Sequence, residues 1–252
     1  MIEVAHLTKS FGDNTVLHDI SATFDSGKTN LIIGQSGSGK TVLMKCIIGL
    51  HQVDSGKILY DDTDITSMTK KQITKMRQKV GMLFQGSALF DSMTVEENVR
   101  FPLEMFSEKS REEWNERVNF CLQRVNLDHA AKLYPSEISG GMQKRAAIAR
   151  AIVLEPTYLF CDEPNSGLDP RTSLTIDRLI KEITEENNIT TIINTHDMNS
   201  VMEIGDNILF IHKGYKSWQG NKDNIYDTGN TDLDDFVFAS ELYKKVKKYH
   251  SY

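Results

Sequence analysis

The sequence predicts an α/β fold: a parallel sheet core, an antiparallel β segment ahead of it, and a mainly helical insertion within it. Three observations carry this reading. Apolar Leu31, Ile32 and Ile33 run into the loop Gly34-Gln35-Ser36-Gly37-Ser38-Gly39-Lys40-Thr41, and residues 42–48 then continue as a helix former. Two more apolar runs, residues 158–163 and 190–195, have the length and continuity of buried strands and end in polar side chains. Between them and the glycine-rich loop, over roughly residues 86–153, helical periodicity replaces strand patterning.

Taken in order, the first elements are short β-like runs at residues 2–7 and 15–20, with a turn at Gly12, Asp13 and Asn14, as in an antiparallel sheet. Phe11 stands just before that turn, where an aromatic ring either stacks on a planar base or covers the core. The loop at 34–41 reads as a phosphate cradle. Its glycines let consecutive N–H groups turn toward an anion, and the helix that follows adds the positive end of its dipole. Lys40 would reach the β- and γ-phosphates and the Thr41 hydroxyl would hold Mg²⁺, the mechanical content of Gly-x-x-x-x-Gly-Lys-Ser/Thr.

A strand at 56–60 and a turn at 61–64 follow, then a polar helix near 69–78 and a strand from Val80 that ends on Gln85. In the helical region, Ser110 and Glu113 have capping-box form, and Trp114, Val118, Cys121, Leu122 and Val125 repeat at helical spacing, a stripe that belongs to a core. Ile138-Ser139-Gly140-Gly141-Met142 leads into a strong helix former with Ser139 at its cap, which makes a second potential anion site. The run at 158–163 closes on Asp162 and Glu163, at the strand edge where open α/β sheets gather ligands. Side chains alternate along a strand, so the two acids should serve different tasks, one toward Mg²⁺ and one toward water. A helix at 171–186 and the strand at 190–195 place His196 at the same edge, and residues 207–212 and 215–219 form a hairpin around Lys213 and Gly214.

Composition sets bounds. A chain of 252 residues with 39% hydrophobic and 25% charged residues and a mean hydropathy of -0.37 has the make-up of a soluble globular protein. No apolar run approaches the roughly 18 residues of a membrane span, and the first residues lack a signal peptide's basic and apolar regions, so a cytosolic chain is expected. Cys46, Cys121 and Cys161 are odd in number, far apart and set in apolar patterns, as small core residues would be; neither disulfide nor zinc is expected. The net charge of -6 argues against broad nucleic-acid binding, whose affinity comes mostly from neutralised phosphates.

From residue 2 to 219 these motifs, in their order and spacing, resemble the nucleotide-binding subunit of an ATP-binding-cassette (ABC) transporter. The resemblance implies a P-loop NTPase fold: an ABC cassette with a RecA-like parallel sheet core, an N-terminal antiparallel β subdomain and an inserted helical subdomain. Residues 34–41 match the Walker A loop, 158–162 the Walker B strand and 138–142 the family signature. Gln85, the Asp169 loop and His196 match the Q-, D- and H-loop positions, and Phe11 stands where the family stacks an aromatic on adenine. The signature is commonly Leu-Ser-Gly-Gly-Gln; Ile138 and Met142 replace its ends, while Ser139, Gly140 and Gly141 are kept.

By that resemblance the cofactors are ATP and Mg²⁺. Two copies would pair head to tail, with ATP between the Walker A loop of one and the Ser139 loop of the other. Lys40, Thr41, Asp162 and Mg²⁺ would organise the phosphates, Glu163 would activate water, His196 would contact the γ-phosphate, and Gln85 would couple metal to membrane partner. Residues 86–104 with Gly140, Gly141 and Met142 are similar to the MlaF-type branch that serves phospholipid trafficking, which implies a permease, a lipid-binding substrate protein in the same system, and a place on the cytoplasmic face of the inner membrane. Leu89, Phe90 and Met93 would then form a groove for a short helix of the permease, or else pack as ordinary core.

The competing readings are import of a small polar solute such as an amino acid, and a soluble ABC protein acting on nucleic acid or ribosomes. The second is disfavoured because the motifs at 41 and 138 leave no room for a long coiled coil and the chain holds one cassette. The division expected is a single ABC domain over 1–220, with the helical subdomain at about 86–153, and a C-terminal extension over 221–252. In that extension Phe236, Val237, Phe238, Leu242, Tyr243 and Val246, with Glu241 early and Lys244, Lys245, Lys247 and Lys248 late, suit a short helix that packs against the cassette or across a dimer. The alternatives are a frayed terminus or a basic patch near anionic lipid.

Overall fold

A computed structural model describes residues 1–239. Strands β1 (Ile2–Phe11), β2 (Asn14–Phe24), β4 (Ser55–Tyr60) and β5 (Thr63–Asp64) form an antiparallel sheet in the order β2-β1-β4-β5. β1 and β2 run further than their alternating patterns do. Register shifts between Val4 and Ser10 let the hairpin continue past polar Thr8, Lys9 and Ser10, where strict alternation stops.

The second sheet has the order β10-β9-β3-β8-β7-β6, from β3 (Thr29–Ile33), β6 (Val80–Leu83), β7 (Tyr158–Asp162), β8 (Thr190–Thr195), β9 (Asn207–His212) and β10 (Tyr215–Gly220). Five of these strands are parallel, and β10 closes one edge antiparallel to β9. Every residue of β3 and β8 is buried, as continuous apolar runs covered on both faces require. Alternation sorts them into two cores: Leu31, Ile33, Leu159 and Ile193 face one, and Ile32, Phe160 and Ile192 the other. The second core also holds the antiparallel sheet and α1 (Lys40–Ile47). The two sheets therefore share one apolar layer.

The first core is shared with helices. Helix α3 (Val95–Phe106) and α4 (Arg111–Arg124) start in capping boxes at Thr94 and Ser110, and α5 (Gly140–Ile152) starts on Ser139, whose hydroxyl accepts from Met142 N–H at 3.3 Å. Val118, Cys121, Leu122 and Val125 are buried as their spacing predicts, and Cys46 and Cys161 are likewise buried. Helix α2 (Lys70–Arg77) is capped by Thr69, α6 (Pro170–Glu186) by Asp169 and α7 (Met198–Ile204) by Asp197.

A helix that the sequence reading did not foresee lies at the end of the described residues. Asn230 caps α8 (Thr231–Val237), which places Asp232 and Asp234 in its first turn where the dipole favours them. Leu233, Val237 and Phe238 are buried in the first core, and the ring of Phe236 stacks on Phe210 at 5.5 Å. The rest of the expected helix, including Leu242, Tyr243, Val246 and the lysines, lies outside the described residues. Among the described residues no helix is long and apolar enough to cross a membrane.

Candidate functional site

The loop at 34–41 leaves the carboxyl end of β3 and closes on the first turn of α1. Gly34 has a φ of 149°, and a Cβ there would lie 2.3 Å from the Ile211 carbonyl oxygen and 2.8 Å from Ser38 Oγ. Gly39 caps α1 at a φ of 105°, where a Cβ would meet Leu17 at 2.7 Å. Only glycine fits either place.

Lys40 is folded back into the loop it follows. Its ammonium donates to Gly34 O at 2.8 Å and Gln35 O at 3.2 Å, and the side chain is buried. Burial lowers its pKa, and the charges of Glu163 and Asp162 act against that shift. Ser38 Oγ is buried with no hydrogen-bond partner, while Gln35, Ser36, Gly37 and Thr41 are exposed. A loop with a buried cation held only by its own carbonyls, and an unpaired hydroxyl beside it, suits an anion.

Two neighbouring strands bring the acids and the histidine to the same edge. Asp162 ends β7 and accepts from Asn194 Nδ2 of β8 at 3.0 Å. Glu163 lies just past the strand with a φ of 49°, so strand alternation does not set its direction, contrary to the sequence reading. What separates the two carboxylates is their partners. Glu163 N–H donates to Asn194 O at 3.0 Å, and its carboxylate takes His196 Nδ1 at 2.9 Å to Oε1 and 2.8 Å to Oε2. The Glu163 side chain is 16% exposed and that of His196 61%, so the pair opens to a cavity of about 410 Å³ that Asn165, Ser166, Gly167 and Thr195 also line.

Gln85 reaches this group from the end of β6, donating from Nε2 to Ser166 Oγ at 3.3 Å. Asp169 caps α6, accepting from Arg171 N–H and Thr172 N–H at 3.1 Å each, and its bonds to Thr172 hold its pKa down. Thr41, Asp162 and Gln85 offer hard oxygen atoms near the cradle, and Asn194 Oδ1 and Ser38 Oγ are buried without partners. That donor set, hard oxygens with a single carboxylate among them, fits Mg²⁺, which is held through one or two carboxylates and keeps water and phosphate in its shell.

Ser139, Gly140 and Gly141 line a different cavity, of about 510 Å³, against Gly167, Asp169 and Thr172. None of its lining residues comes from the 34–41 loop. Gly141 packs so closely on α6 that a Cβ would sit 2.7 Å from the Thr172 methyl group. Phe11 is 46% exposed, with His51 edge-on at 5.3 Å and Lys9 Nζ 5.1 Å from its centroid. Another cavity, of about 740 Å³, lies beyond the C-terminal end of α1 beside His51, Lys70 and Arg77 and holds none of these site groups.

Several supporting residues escaped the sequence reading. Asn194 was a polar residue inside a buried-strand run, which is itself a signal. Asp177 sits on the buried stripe of α6 with Ser173, Ile176 and Ile180; it accepts from Asn165 Nδ2 at 2.8 Å, and Asn165 also donates to Ser200 Oγ at 3.0 Å. Burial pushes the Asp177 carboxyl up to about 6. Lys144, on α5, donates to the Gln85 carbonyl; burial lowers its pKa, and the nearby Cys161 and Glu163 oppose that. A basic residue on a predicted helix gives no hint that it will be buried.

The ABC transporter family matches this chain over residues 17–166. The chain is 42% identical over 207 residues to the probable ribonucleotide transport ATP-binding protein mkl of Mycobacterium leprae, covering 82% of this chain and 60% of that protein. It thus spans about three fifths of the length of that mycobacterial relative. It is 37% identical over 242 residues to the methionine import ATP-binding protein MetN of Clostridium tetani, covering 96% of this chain and 76% of that protein. Among solved structures, the dimeric post-hydrolysis state of the ATP-binding cassette MJ0796 bound to ADP and Pi is similar, with a TM-score of 0.79 and 30% identity over 88% of this chain and 99% of that one.

Proposed function

This chain belongs to the ABC transporter family, and we propose that it is the ATP-binding and ATP-hydrolysing subunit that powers a separate membrane permease. One observation carries the reading: Lys40, Asp162, Glu163 and His196 converge at the ends of three adjacent parallel strands, β3, β8 and β7.

In this reading the triphosphate of ATP settles on the N–H groups of residues 34–41, and Lys40 exchanges the Gly34 and Gln35 carbonyls for β- and γ-phosphate oxygens. Phe11 offers its exposed face to adenine. A water oxygen forms a bond to the γ-phosphorus while Glu163 accepts its proton; the bond to the ADP oxygen breaks, and ADP and phosphate leave. Glu163 holds His196 through Nδ1, which leaves the other ring nitrogen for the γ-phosphate. Thr41, Asp162 and Gln85 would hold Mg²⁺, which when bound neutralises charge on the phosphate oxygens. The residues' share is positioning and electrostatics.

Ser139, Gly140 and Gly141 line a cavity apart from the cradle of their own chain, so they would close on ATP held by a second copy. The dimer described for MJ0796 with ADP and Pi supports that pairing. As organisation we propose a single ABC domain over 1–220, with the helical subdomain at about 86–153 inserted, and an extension over 221–252. The subunit would work on the cytoplasmic face of the inner membrane.

For cargo we propose phospholipid trafficking of the Mla type, with a lipid-binding substrate protein in the same system. Residues 86–104 and Met142 support it. A second reading, import of a small polar solute, is favoured by the name of the MetN relative, a methionine import protein, and the mkl name likewise gives a polar cargo, ribonucleotide. Co-purification with the permease, followed by mass spectrometry of what is bound, separates them. Phospholipid retained in stoichiometric amount supports the first reading, and a retained amino acid or nucleotide the second.

A further inference from the structure

The loop that carries Gln85 is held from behind by two cations of α5. Lys144 is 4% exposed, and its ammonium donates to the backbone carbonyl of Gln85. Further along the helix, Arg150 donates from Nη2 to Ser87 O and from Nη1 to Ala88 O, both at 2.7 Å. Three carbonyls within four residues are thus taken by charge-assisted bonds, which are roughly twice as strong as neutral ones.

The backbone they hold is strained. Ser87 and Ala88 have φ values of 61° and 51°, consecutive non-glycine residues in the left-handed region, where the Cβ crowds the backbone. Such a conformation persists only where its surroundings over-determine it. The far end of the segment is also fixed: Asn98 of α3 accepts from Phe90 N–H at 2.8 Å and donates to Phe90 O and Met93 O at 3.1 Å. Clamped at both ends, the segment aims the Gln85 side chain at Ser166, three residues after Glu163.

A buried ammonium is an expensive way to fill space, and an apolar side chain of similar size would pack there at lower cost. Its place beside Glu163, with its ammonium on the Gln85 carbonyl, points to use of its donors and its charge. We propose that Lys144 and Arg150 are positioning residues that fix the strained Gln85 loop, and through it the Gln85 side chain, against the Glu163 loop. The proposal rests on the reading of Glu163 and Lys40 as an ATP-hydrolysing site.

Hydrogen exchange and steady-state ATP turnover of the full chain test it together, for the native protein, Lys144→Met and Lys144→Arg. Lys144→Met should speed amide exchange roughly tenfold within residues 86–90 while leaving the 34–41 loop unchanged. Its kcat should fall roughly 10- to 100-fold, with KM for ATP within about twofold, because misplacement and not binding is affected. Lys144→Arg, which keeps the charge and a donor, should restore both. If Lys144→Met does not fold, Arg150→Met, which removes both donors, serves in its place, with the faster exchange again confined to 86–90. Unchanged exchange in that segment, exchange that rises throughout the chain, or faster local exchange at native kcat would each overturn the proposal. Failure of the native chain to bind a fluorescent ATP analogue would instead sink the ATP-site reading, and with it the catalytic role of the clamp.

Discussion

Replacing Asp177 with Asn should stabilise the fold at neutral and alkaline pH and not in acid. The carboxyl is 1% exposed, and burial pushes its pKa from 3.8 up to about 6, helped by Asp197 and Glu203 and opposed by Ser200 and Asn165. The unfolded chain loses this proton near pH 3.8 while the folded chain keeps it until about pH 6. Stability present below the lower value is therefore lost as pH rises through the upper one. About two pH units at about 1.4 kcal/mol each come to roughly 3 kcal/mol above pH 7, and about half of that by pH 5.

Asn keeps an acceptor for Asn165 Nδ2, now at 2.8 Å from Asp177, and carries no charge. At about 2–4 °C per kcal/mol for a domain of this size, the variant should gain about 6–12 °C in Tm at pH 8. Scanning calorimetry of the nucleotide-free chain at pH 4, 5 and 8 is the assay. An equal change at pH 4 and 8, or a lower Tm at pH 8, would refute the reasoning and mean that the neighbours need the charge.

Three further outcomes are expected. Lys40→Ala should abolish tight ATP binding in an equilibrium titration, since it removes the cation of the cradle; unchanged affinity would move the ATP site elsewhere. Leu89→Asp with Phe90→Asp should spare ATP binding yet lose the permease in a pull-down, because burying carboxylates against an apolar partner is costly, and full recovery of the permease would contradict this. Ending the chain at residue 230 removes Leu233, Val237 and Phe238, buried side chains worth about 1.5–3 kcal/mol each; Tm should drop by several degrees, and an unchanged Tm would mean that α8 adds nothing.

What could be read in advance was local. The cradle is a contiguous string with fixed backbone demands, the buried strands are continuous apolar runs, and Ser110 and Ser139 cap helices by chemistry confined to four residues. Long-range pairing has no such signature. Nothing in residues 29–33 says that β3 lies between β8 and β9, and without that order the contact of Asp162 with Asn194 is invisible. Glu163 could not be placed by strand alternation because its own backbone turns left-handed at the strand end. Lys144, Arg150 and Asp177 read as ordinary charges on helices until tertiary packing buries or engages them, and α8 went unseen because its first turn is acidic and polar, held by a cap at Asn230.

The most direct test of the central claim is Glu163→Gln, which keeps the shape and hydrogen bonding of the side chain and removes the proton acceptor beside His196. Single-turnover hydrolysis, nucleotide binding and ATP-dependent dimerisation should be measured on the same preparation. ATP should still bind, dimers should accumulate, and hydrolysis should slow by about 10² to 10⁴, or roughly 3 to 5 kcal/mol of barrier. Hydrolysis at the native rate would show that Glu163 is not the base and that the chemistry assigned to this strand edge is wrong.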